Sequence, residues 1–312
     1  MQVLVTGGAG FIGHHLVRGL LAAGHAVRVI DDLSTGDGSR IAPVLDRIAF
    51  IEGDILDVRA LDEAMDGCEV VLHQAAVASV ARSISEPRRT DEVNVGGTIE
   101  VMLAARRHGI RRVVLASSAA VYGHPPRVPC GEDLVPQPTS PYGVSKLAGE
   151  HYLHVLGALH GIETVALRYF NVFGPGQDPA SEYAAVVPAF AAAALAGRPA
   201  VFNGSGAITR DYVYVDDVVG ANLLAAGPER PSGLTCNIAG GRPRTLEALN
   251  RAICDAAGTW QEPTIGPARP GDIRDSVADI SLAADRLGFR PEVDFRDGIA
   301  RTVAWFRSDL RT

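Results

Sequence analysis

Short apolar segments rich in β-branched residues alternate with longer helical patterns over the first 170 residues. Buried strands are predicted at 2–7, 26–31, 47–53, 69–75, 111–117 and 163–170, with helices between them at 11–23, 57–66, 92–109 and 141–160. Strands that are apolar along their whole length are typical of parallel sheets, which are covered on both faces. The alternation therefore predicts an α/β fold with a doubly wound parallel sheet and helices on both faces.

The pattern changes after about residue 171, where loops become richer in glycine and proline. Helices are predicted at 181–196, 215–226, 244–257, 281–287 and 296–308, and two short apolar segments, 211–215 and 235–240, are expected to return to the sheet. We therefore expect two interleaved lobes. The sheet domain comprises residues 1–170 plus about 211–240, and a smaller C-terminal lobe comprises 171–210 plus about 241–312.

Composition excludes several classes of protein. The chain of 312 residues is 47% apolar, enough for a packed core, and its net charge of −7 with scattered basic residues argues against a nucleic-acid partner. The four cysteines form no CxxC pair and have no histidine at ligand spacing, so no metal site is expected. The first residues lack the charged region and cleavage site of a signal peptide, and the apolar segment 184–197 is interrupted by Pro188. These features predict a soluble, cytoplasmic protein without a membrane partner.

Three glycines, Gly7, Gly10 and Gly13, follow the first predicted strand and open the first helix. The first permits a sharp turn, the second permits close approach of a pyrophosphate, and the third lets the helix pack close to the sheet. Unpaired N–H groups at the helix N-terminus then face the phosphates. In this context the triplet predicts a Rossmann-type dinucleotide site.

Acidic residues follow the next two strands. Asp31 lies 18 residues beyond Gly13, where a carboxylate accepts hydrogen bonds from an adenosine ribose and repels a 2′-phosphate. The cofactor is therefore expected to be NAD rather than NADP. Asp54, after the third strand, either contacts adenine or is an ordinary turn residue. The alternative for Asp31 and Asp32 is that they only terminate a strand.

Tyr142 and Lys146 are one helical turn apart, directly after a proline-rich loop at 123–141. The fifth strand ends in Ser117 and Ser118, at the edge of the sheet where such folds bind ligands. A lysine ammonium and a positive nicotinamide ring both favour a phenolate, so Tyr142 is a candidate base for a sugar hydroxyl that Ser118 also bonds. Taken alone, the Tyr–Lys pair is more typical of an ordinary surface helix, and the serines of an ordinary strand end.

Longer stretches of the sequence resemble one known family. They are VTGGAGFIG, HQAAVASV, NVGGT, SSAAVYG, PYGVSK, LRYFNVFGPGQDP, TRDYVYVDDV and RPGDIRDS, which run from residue 3 to about 280. The chain resembles the nucleotide-sugar 4-epimerases, of the UDP-glucose/UDP-galactose type, within the extended short-chain dehydrogenase/reductase superfamily. The resemblance implies NAD as cofactor and inversion of C4 of a UDP-hexose through a transient 4-keto sugar.

The resemblance also implies a role for each matching residue. It places Ser118, Tyr142 and Lys146 in a catalytic triad. The NAD site would comprise Gly7, Gly10, Phe11, Ile12, Gly13, Asp31, Asp32, Asp54, Ile55, Ala75, Ala76, Asn94, Tyr142, Lys146 and Tyr169. The UDP-sugar site would comprise Ser118, Tyr142, Asn171, Val187, Arg210, Arg269, Asp272 and Ser276. The sheet domain then binds NAD and the smaller lobe binds the nucleotide sugar, with the two arginines bonding its diphosphate; surface solvation is the ordinary alternative for an arginine.

Three positions bear on the type of reaction. Related dehydratases carry an Asp–Glu pair where this chain has Ala119 and Ala120, so an elimination would lack its acid and base. Related uronate epimerases carry an arginine where this chain has Asp178, so a substrate carboxylate is disfavoured. The alternatives are a UDP-glucuronate 4-epimerase, a decarboxylase, a dehydratase or another net oxidoreductase of the superfamily, and then a non-catalytic nucleotide-binding protein.

Two further expectations concern substrate and assembly. Family members with a tyrosine at the position of Ser276 prefer plain hexoses, so this small side chain predicts turnover of UDP-GlcNAc and UDP-GalNAc beside UDP-glucose and UDP-galactose. Some relatives bind the cofactor phosphates with a lysine where this chain has Ala78, and Arg82 is a candidate replacement. The family usually forms homodimers through two helices, here 92–109 and 141–160.

Overall fold

A parallel sheet of seven strands organises the computed structural model, which describes residues 1–178, 185–228, 230–267 and 275–309. The strands in these ranges are β1 (Gln2–Thr6), β2 (Ala26–Asp31), β3 (Ile48–Glu52), β4 (Val70–His73), β5 (Arg112–Ser118), β6 (Glu163–Tyr169), β7 (Asn171–Phe173), β8 (Val201–Asn203), β9 (Thr209–Tyr214), β10 (Leu234–Ile238), β11 (Pro243–Thr245), β12 (Thr264–Gly266) and β13 (Asp275–Ser276). The large sheet has the order β10-β6-β5-β4-β1-β2-β3, with every pair parallel. The predicted doubly wound sheet is confirmed.

Helices cover both faces of this sheet. Those described are α1 (Phe11–Ala22), α2 (Val58–Met65), α3 (Val80–Ser85), α4 (Pro87–Asp91), α5 (Gly97–Arg107), α6 (Pro141–His160), α7 (Val186–Leu195), α8 (Val215–Ala226), α9 (Leu246–Ala257), α10 (Ser281–Leu287) and α11 (Phe295–Asp309). Helices α1 and α8 pack on one face with buried residues of β1, β2 and β10. Helices α2, α5 and α6 pack on the other. Strand residues are therefore buried from both sides, which explains their continuous apolar sequence.

Of the two later segments expected to return to the large sheet, one does and one does not. Segment 235–240 contributes β10 and joins the large sheet, as expected. The expectation that 211–215 does the same is wrong, because β9 pairs instead with β7, β11 and β13 in a smaller sheet. The aromatic side chains of β9, Tyr212 and Tyr214, pack there with Phe173 and with residues of α7, α9 and α11 in a separate core. This second hydrophobic core belongs to the smaller lobe.

The helix predicted at 92–109 is regular only from Gly97 onwards. Glu92–Gly96 forms a single π-helical turn between α4 and α5. Such turns frequently occur at functional sites. Asn94 lies in this turn and is 3% exposed.

Helix α6 begins where its capping residues require. Ser140 accepts a hydrogen bond from the N–H of Gly143 at 3.1 Å, and Pro141 occupies the first turn. The helix ends at Gly161, whose φ of 69° is the left-handed conformation that glycine tolerates. These boundaries fix Tyr142 in the first turn, facing the end of β5. A search of the described helices finds none that is long and apolar enough to cross a membrane.

Candidate active site

The loop between β1 and α1 packs directly against the end of β4. Gly7 has a φ of 69°, and a Cβ there would lie 2.7 Å from the amide nitrogen of Ala75. A Cβ on Gly13 would lie 2.0 Å from the carbonyl oxygen of Gly7. Only glycine fits either position, so the loop forms a cradle walled by backbone alone.

The N-terminus of α1 adds hydrogen-bond donors to this cradle. Gly10 is the N-cap, and no side chain caps the first turn, which includes Phe11 and Ile12. The first turn also carries no acidic residue. Because the helix dipole reinforces uncapped N–H groups, the loop fits the phosphates of a dinucleotide.

Asp31 joins the end of β2 to the same loop. Its carboxylate accepts hydrogen bonds from the N–H groups of Ala9 at 2.8 Å and Leu33 at 2.9 Å. Burial raises the pKa of Asp31, and these two hydrogen bonds oppose the rise. Each carboxylate oxygen has a second lone pair, so ribose hydroxyls can still bond it. Asp32 accepts from the N–H and hydroxyl of Ser34, a turn contact directly after the end of β2.

Asp54 and Ile55 follow β3 and line the region predicted for adenine. Asp54 accepts a hydrogen bond from the N–H of Leu56 at 2.9 Å and pairs with Arg89 of α4 at 3.1 Å. Ile55 packs against Gly97, where an added Cβ would lie 2.4 Å from its Cδ1. No local pattern predicts the contact with Arg89, because it lies 35 residues from Asp54. Arg82, the candidate phosphate contact, instead pairs with Glu86 at 3.2 Å.

Asn94 secures the segment that follows β4. Its side-chain oxygen accepts from the N–H of Val77 at 2.8 Å, and its nitrogen donates to Val77 O at 3.3 Å and to the Ser145 hydroxyl at 2.9 Å. Asn94 therefore ties the loop of Ala75 and Ala76, both half-buried, to helix α6. These three hydrogen bonds support a structural role for Asn94.

The structure brings the predicted triad together at the carboxyl end of β5. The Ser118 side chain lies near enough to the Tyr142 phenol to lower its pKa. Lys146 Nζ donates to the carbonyl oxygen of Ala116 at 2.9 Å and lies 5.9 Å from the centre of the Tyr142 ring. Ser118 also accepts from the N–H of Ala120 at 3.1 Å, which fixes its hydroxyl at the start of the following turn.

The protein's own residues act on the ionisation of this group through burial. Burial raises the pKa of Tyr142, and the Ser118 side chain only partly opposes the rise. Burial also lowers the pKa of Lys146 to about 8, with the charge of Glu150 opposing it. Loss of hydration therefore disfavours the phenolate. Stabilisation of the phenolate by the lysine together with a bound nicotinamide ring stays a prediction.

The smaller lobe brings three predicted substrate residues to neighbouring strands. Asn171 on β7 donates its side-chain N–H to the carbonyl oxygen of Asp211 at 2.8 Å. Arg210 on β9 lies beside Ser276 on β13 in a parallel register, and both are half-buried. The Arg210 guanidinium donates to the carbonyl oxygen of Thr209 at 2.9 Å. Arg269 and Asp272 lie outside the described residues.

Two other predicted contacts have buried side chains. The Val187 side chain is 2% exposed in the core of the smaller lobe, so only its backbone, in the uncapped first turn of α7, remains available. The Tyr169 ring packs with the α1 and α8 side of the large sheet. Its hydroxyl accepts from the side-chain nitrogen of Asn222 at 2.7 Å. Tyr169 is directly paired with Ser118 in the register of β6 and β5.

Comparison with known proteins identifies the family. The sequence model described as the NAD dependent epimerase/dehydratase family matches residues 3–239. The chain belongs to this family. NAD is accordingly its cofactor, in agreement with the cradle described above.

Individual relatives cover the whole chain. A UDP-glucose 4-epimerase of Mycolicibacterium smegmatis is 43% identical, over 99% of both chains. The crystal structure of a Thermotoga maritima UDP-glucose 4-epimerase with UDP-glucose superposes with a TM-score of 0.94 at 38% identity, covering 99% of this chain and 100% of that one. A UDP-N-acetylglucosamine 4-epimerase of Methanobrevibacter ruminantium, in complex with UDP-N-acetylmuramic acid, also gives 0.94 at 38% identity, covering 99% and 98%. The chain is similar to nucleotide-sugar epimerases over its full length.

Proposed function

We propose that the chain inverts C4 of a UDP-hexose in an NAD-dependent reaction that passes through a transient 4-keto sugar. The observation that carries this proposal is the meeting of Ser118, Tyr142 and Lys146 at the carboxyl end of β5. The glycine cradle opens at the same edge of the sheet, where ligands of such folds bind. Bound NAD supplies the acceptor that takes a hydride from C4 and gives it back.

Tyr142 is proposed to move the proton. It takes the proton of the C4 hydroxyl as the hydride leaves and returns it when the hydride comes back. Burial disfavours the phenolate, so the reaction needs positive charge beside the ring. Lys146 supplies part of it while protonated, below its pKa of about 8. Ser118 lies beside the phenol, lowers its pKa, and is placed to bond the same sugar hydroxyl.

The turn after β5 favours epimerisation over elimination. Ala119 and Ala120 begin the turn Ala119–Tyr122 directly after Ser118. Elimination of water from a 4-keto sugar requires an acid and a base near C5 and C6, and a methyl group can be neither. The oxidised sugar can then only receive its hydride again. Return to the opposite face inverts C4.

The smaller lobe is proposed to hold a UDP-sugar. Arg210 offers charge-assisted hydrogen bonds to a diphosphate, and Asn171 offers an amide nearby on β7. Ser276 beside Arg210 leaves room for a 2-acetamido group, so both plain and N-acetylated hexoses are expected substrates. The exposed carboxylate of Asp178 disfavours a uronic acid. The Thermotoga UDP-glucose 4-epimerase with UDP-glucose and the Methanobrevibacter UDP-N-acetylglucosamine 4-epimerase support the same substrate class.

We also propose a division of labour between the lobes. Residues 1–170 plus about 211–240 bind NAD, except that β9 belongs to the other lobe, where 171–210 plus about 241–312 bind the nucleotide sugar.

We further propose that the chain forms a homodimer. Helix α6 exposes an apolar stripe at helical spacing, with Val144, Tyr152, Val155 and Leu159 all at least 44% exposed. Contiguous exposed apolar residues mark interaction surfaces. A second copy of the same helix is the proposed partner.

Product analysis tests the reaction. Purified protein is incubated with UDP-galactose, UDP-GalNAc and UDP-glucuronate, and products are identified by NMR. Denaturing extraction of the same sample identifies the bound dinucleotide. We expect the C4 epimers of the first two sugars, no conversion of the third, and recovery of NAD. Net NADH formation, or loss of water from the sugar, would contradict the proposal.

A further inference from the structure

The face of α6 that carries Tyr142 and Lys146 also carries a carboxylate. Glu150 lies one further turn along the helix, so the three side chains project from one face. Glu150 is 4% exposed and Lys146 is 6% exposed. Charges that are buried one helical turn apart interact more strongly than surface pairs because little water screens them.

Neighbouring strands fix the Glu150 carboxylate in place. It accepts hydrogen bonds from Arg168 Nε at 2.9 Å and Nη2 at 2.7 Å, and from the hydroxyl of Ser117. Ser117 and Arg168 are directly paired in the register of β5 and β6. The other side of the guanidinium donates to the hydroxyl of Tyr122 at 2.9 Å. Lys146 meanwhile donates to a backbone carbonyl, so Glu150 acts on it through charge.

The remaining ionisable groups around this pair do not replace that charge. Burial lowers the pKa of two nearby histidines, which keeps both neutral at pH 7, and raises the pKa of a nearby glutamic acid. The groups that face the pair are His73 on β4, Tyr142 and His154 on α6, Arg168 on β6 and Glu132 in the loop before α6. Glu150 is thus the anionic group placed to stabilise the lysine ammonium.

We propose that Glu150 is a positioning residue that keeps Lys146 protonated inside the site, and that Arg168 and Ser117 hold it for this task. The inference rests on the proposed function, in which protonated Lys146 favours the phenolate of Tyr142. Burial drives the Lys146 pKa down, and the Glu150 charge is the influence that opposes it. Without that charge the Lys146 pKa falls further, and less of the lysine is protonated at neutral pH.

The composition of the chain allows a direct test, because Lys146 is the only lysine in the sequence. Protein labelled with lysine carrying ¹³C at Cε gives one side-chain signal, whose shift is followed against pH in the holoprotein. We expect a midpoint near 8 in the wild type and a midpoint lower by about one pH unit or more in Glu150→Gln. The alkaline limb of the kcat profile should move down with it.

Two further variants separate charge from structure. Glu163→Gln removes the acid of another pair, Arg112–Glu163, at the opposite end of β5 and β6, and should leave the Lys146 midpoint unchanged. Arg168→Gln leaves Glu150 charged, so the midpoint of the Lys146 titration should equal that of the wild type or lie above it. If the pair were only structural, both Glu150→Gln and Arg168→Gln would open the site and move Lys146 towards its ordinary value.

An unchanged or raised midpoint in Glu150→Gln would overturn the proposal, as would an equal fall in Arg168→Gln. If Glu150→Gln does not fold because Arg168 is left as an unpaired buried charge, the double variant Glu150→Gln/Arg168→Gln removes both charges and should still show the fall. The titration is independent of turnover. A wild type without epimerase activity would therefore refute the proposed function and leave this measurement to be judged separately.

Discussion

Replacing Gly13 by alanine should weaken NAD binding and destabilise the fold together. The new Cβ would lie 2.0 Å from the carbonyl oxygen of Gly7 and 2.8 Å from the Cα of Gly8. Ordinary contact begins at about 3.4 Å, and both atoms are backbone, so α1 and the loop must separate by more than an ångström. Overpacking of this kind costs about 1–3 kcal/mol.

The same separation pulls the uncapped amides of α1 away from the phosphates. Loss of one hydrogen bond to a charged group costs about 1.5–3 kcal/mol, which corresponds to at least a tenfold rise in the Kd for NAD. Calorimetry with NAD and urea denaturation measure the two effects. Gly220→Ala is the matched control, because nothing lies within 4 Å of its added Cβ, in the interior of α8. The free energy of unfolding of Gly220→Ala should be about 0.5–1 kcal/mol higher than that of the wild type, because alanine suits a helix interior better than glycine. A Gly13→Ala protein with wild-type stability and NAD affinity would refute the reasoning.

Three other predictions concern the substrate, acid stability and assembly. Ser276→Tyr should abolish turnover of UDP-GalNAc while sparing UDP-galactose, measured as the ratio of kcat/KM values; an unchanged ratio contradicts the pocket assignment. Burial lowers the pKa of His14 and His73 to about 3. Below pH 6.5 the unfolded chain therefore binds protons that the folded chain does not. The free energy of unfolding should fall by about 1.4 kcal/mol per pH unit for each histidine. Urea denaturation at a series of pH values measures this free energy, which should fall less steeply with decreasing pH in His14→Gln. The same slope in the variant and the wild type would contradict the prediction for His14. Leu159→Arg should give a monomer by light scattering, whereas Ile265→Arg, equally exposed on β12, should not; a dimer in both would exclude the α6 interface.

Local patterns predicted the large sheet well because its strands are defined by burial on both faces. The glycine spacing also predicted the cradle, since each glycine is required by a backbone contact within the loop or to the neighbouring strand. The placement of 211–215 was wrong for a physical reason. A short segment such as β9, with Tyr212 and Tyr214 buried, has the same pattern in either sheet, and only the pairing with β7 and β13 decides between them.

Local sequence patterns could not predict which residues contact the site residues. Arg168 meets Glu150 from a different element, and Arg89 meets Asp54 across 35 residues. Nothing in the spacing of these residues indicates a contact. The loss of hydration that raises the Tyr142 pKa was hidden for a related reason, because the sequence displays the nearby lysine but not the burial of the phenol.

Transfer of the hydrogen at C4 tests the central claim most directly. The enzyme is incubated with UDP-galactose that carries deuterium at C4, and the UDP-glucose formed is examined by NMR. If Tyr142 moves only the hydroxyl proton while the hydride leaves and returns, deuterium remains at C4 in the product, and Tyr142→Phe slows its formation by about 10²–10⁴-fold. Product with ordinary hydrogen at C4, or a Tyr142→Phe variant as fast as the wild type, would contradict the account.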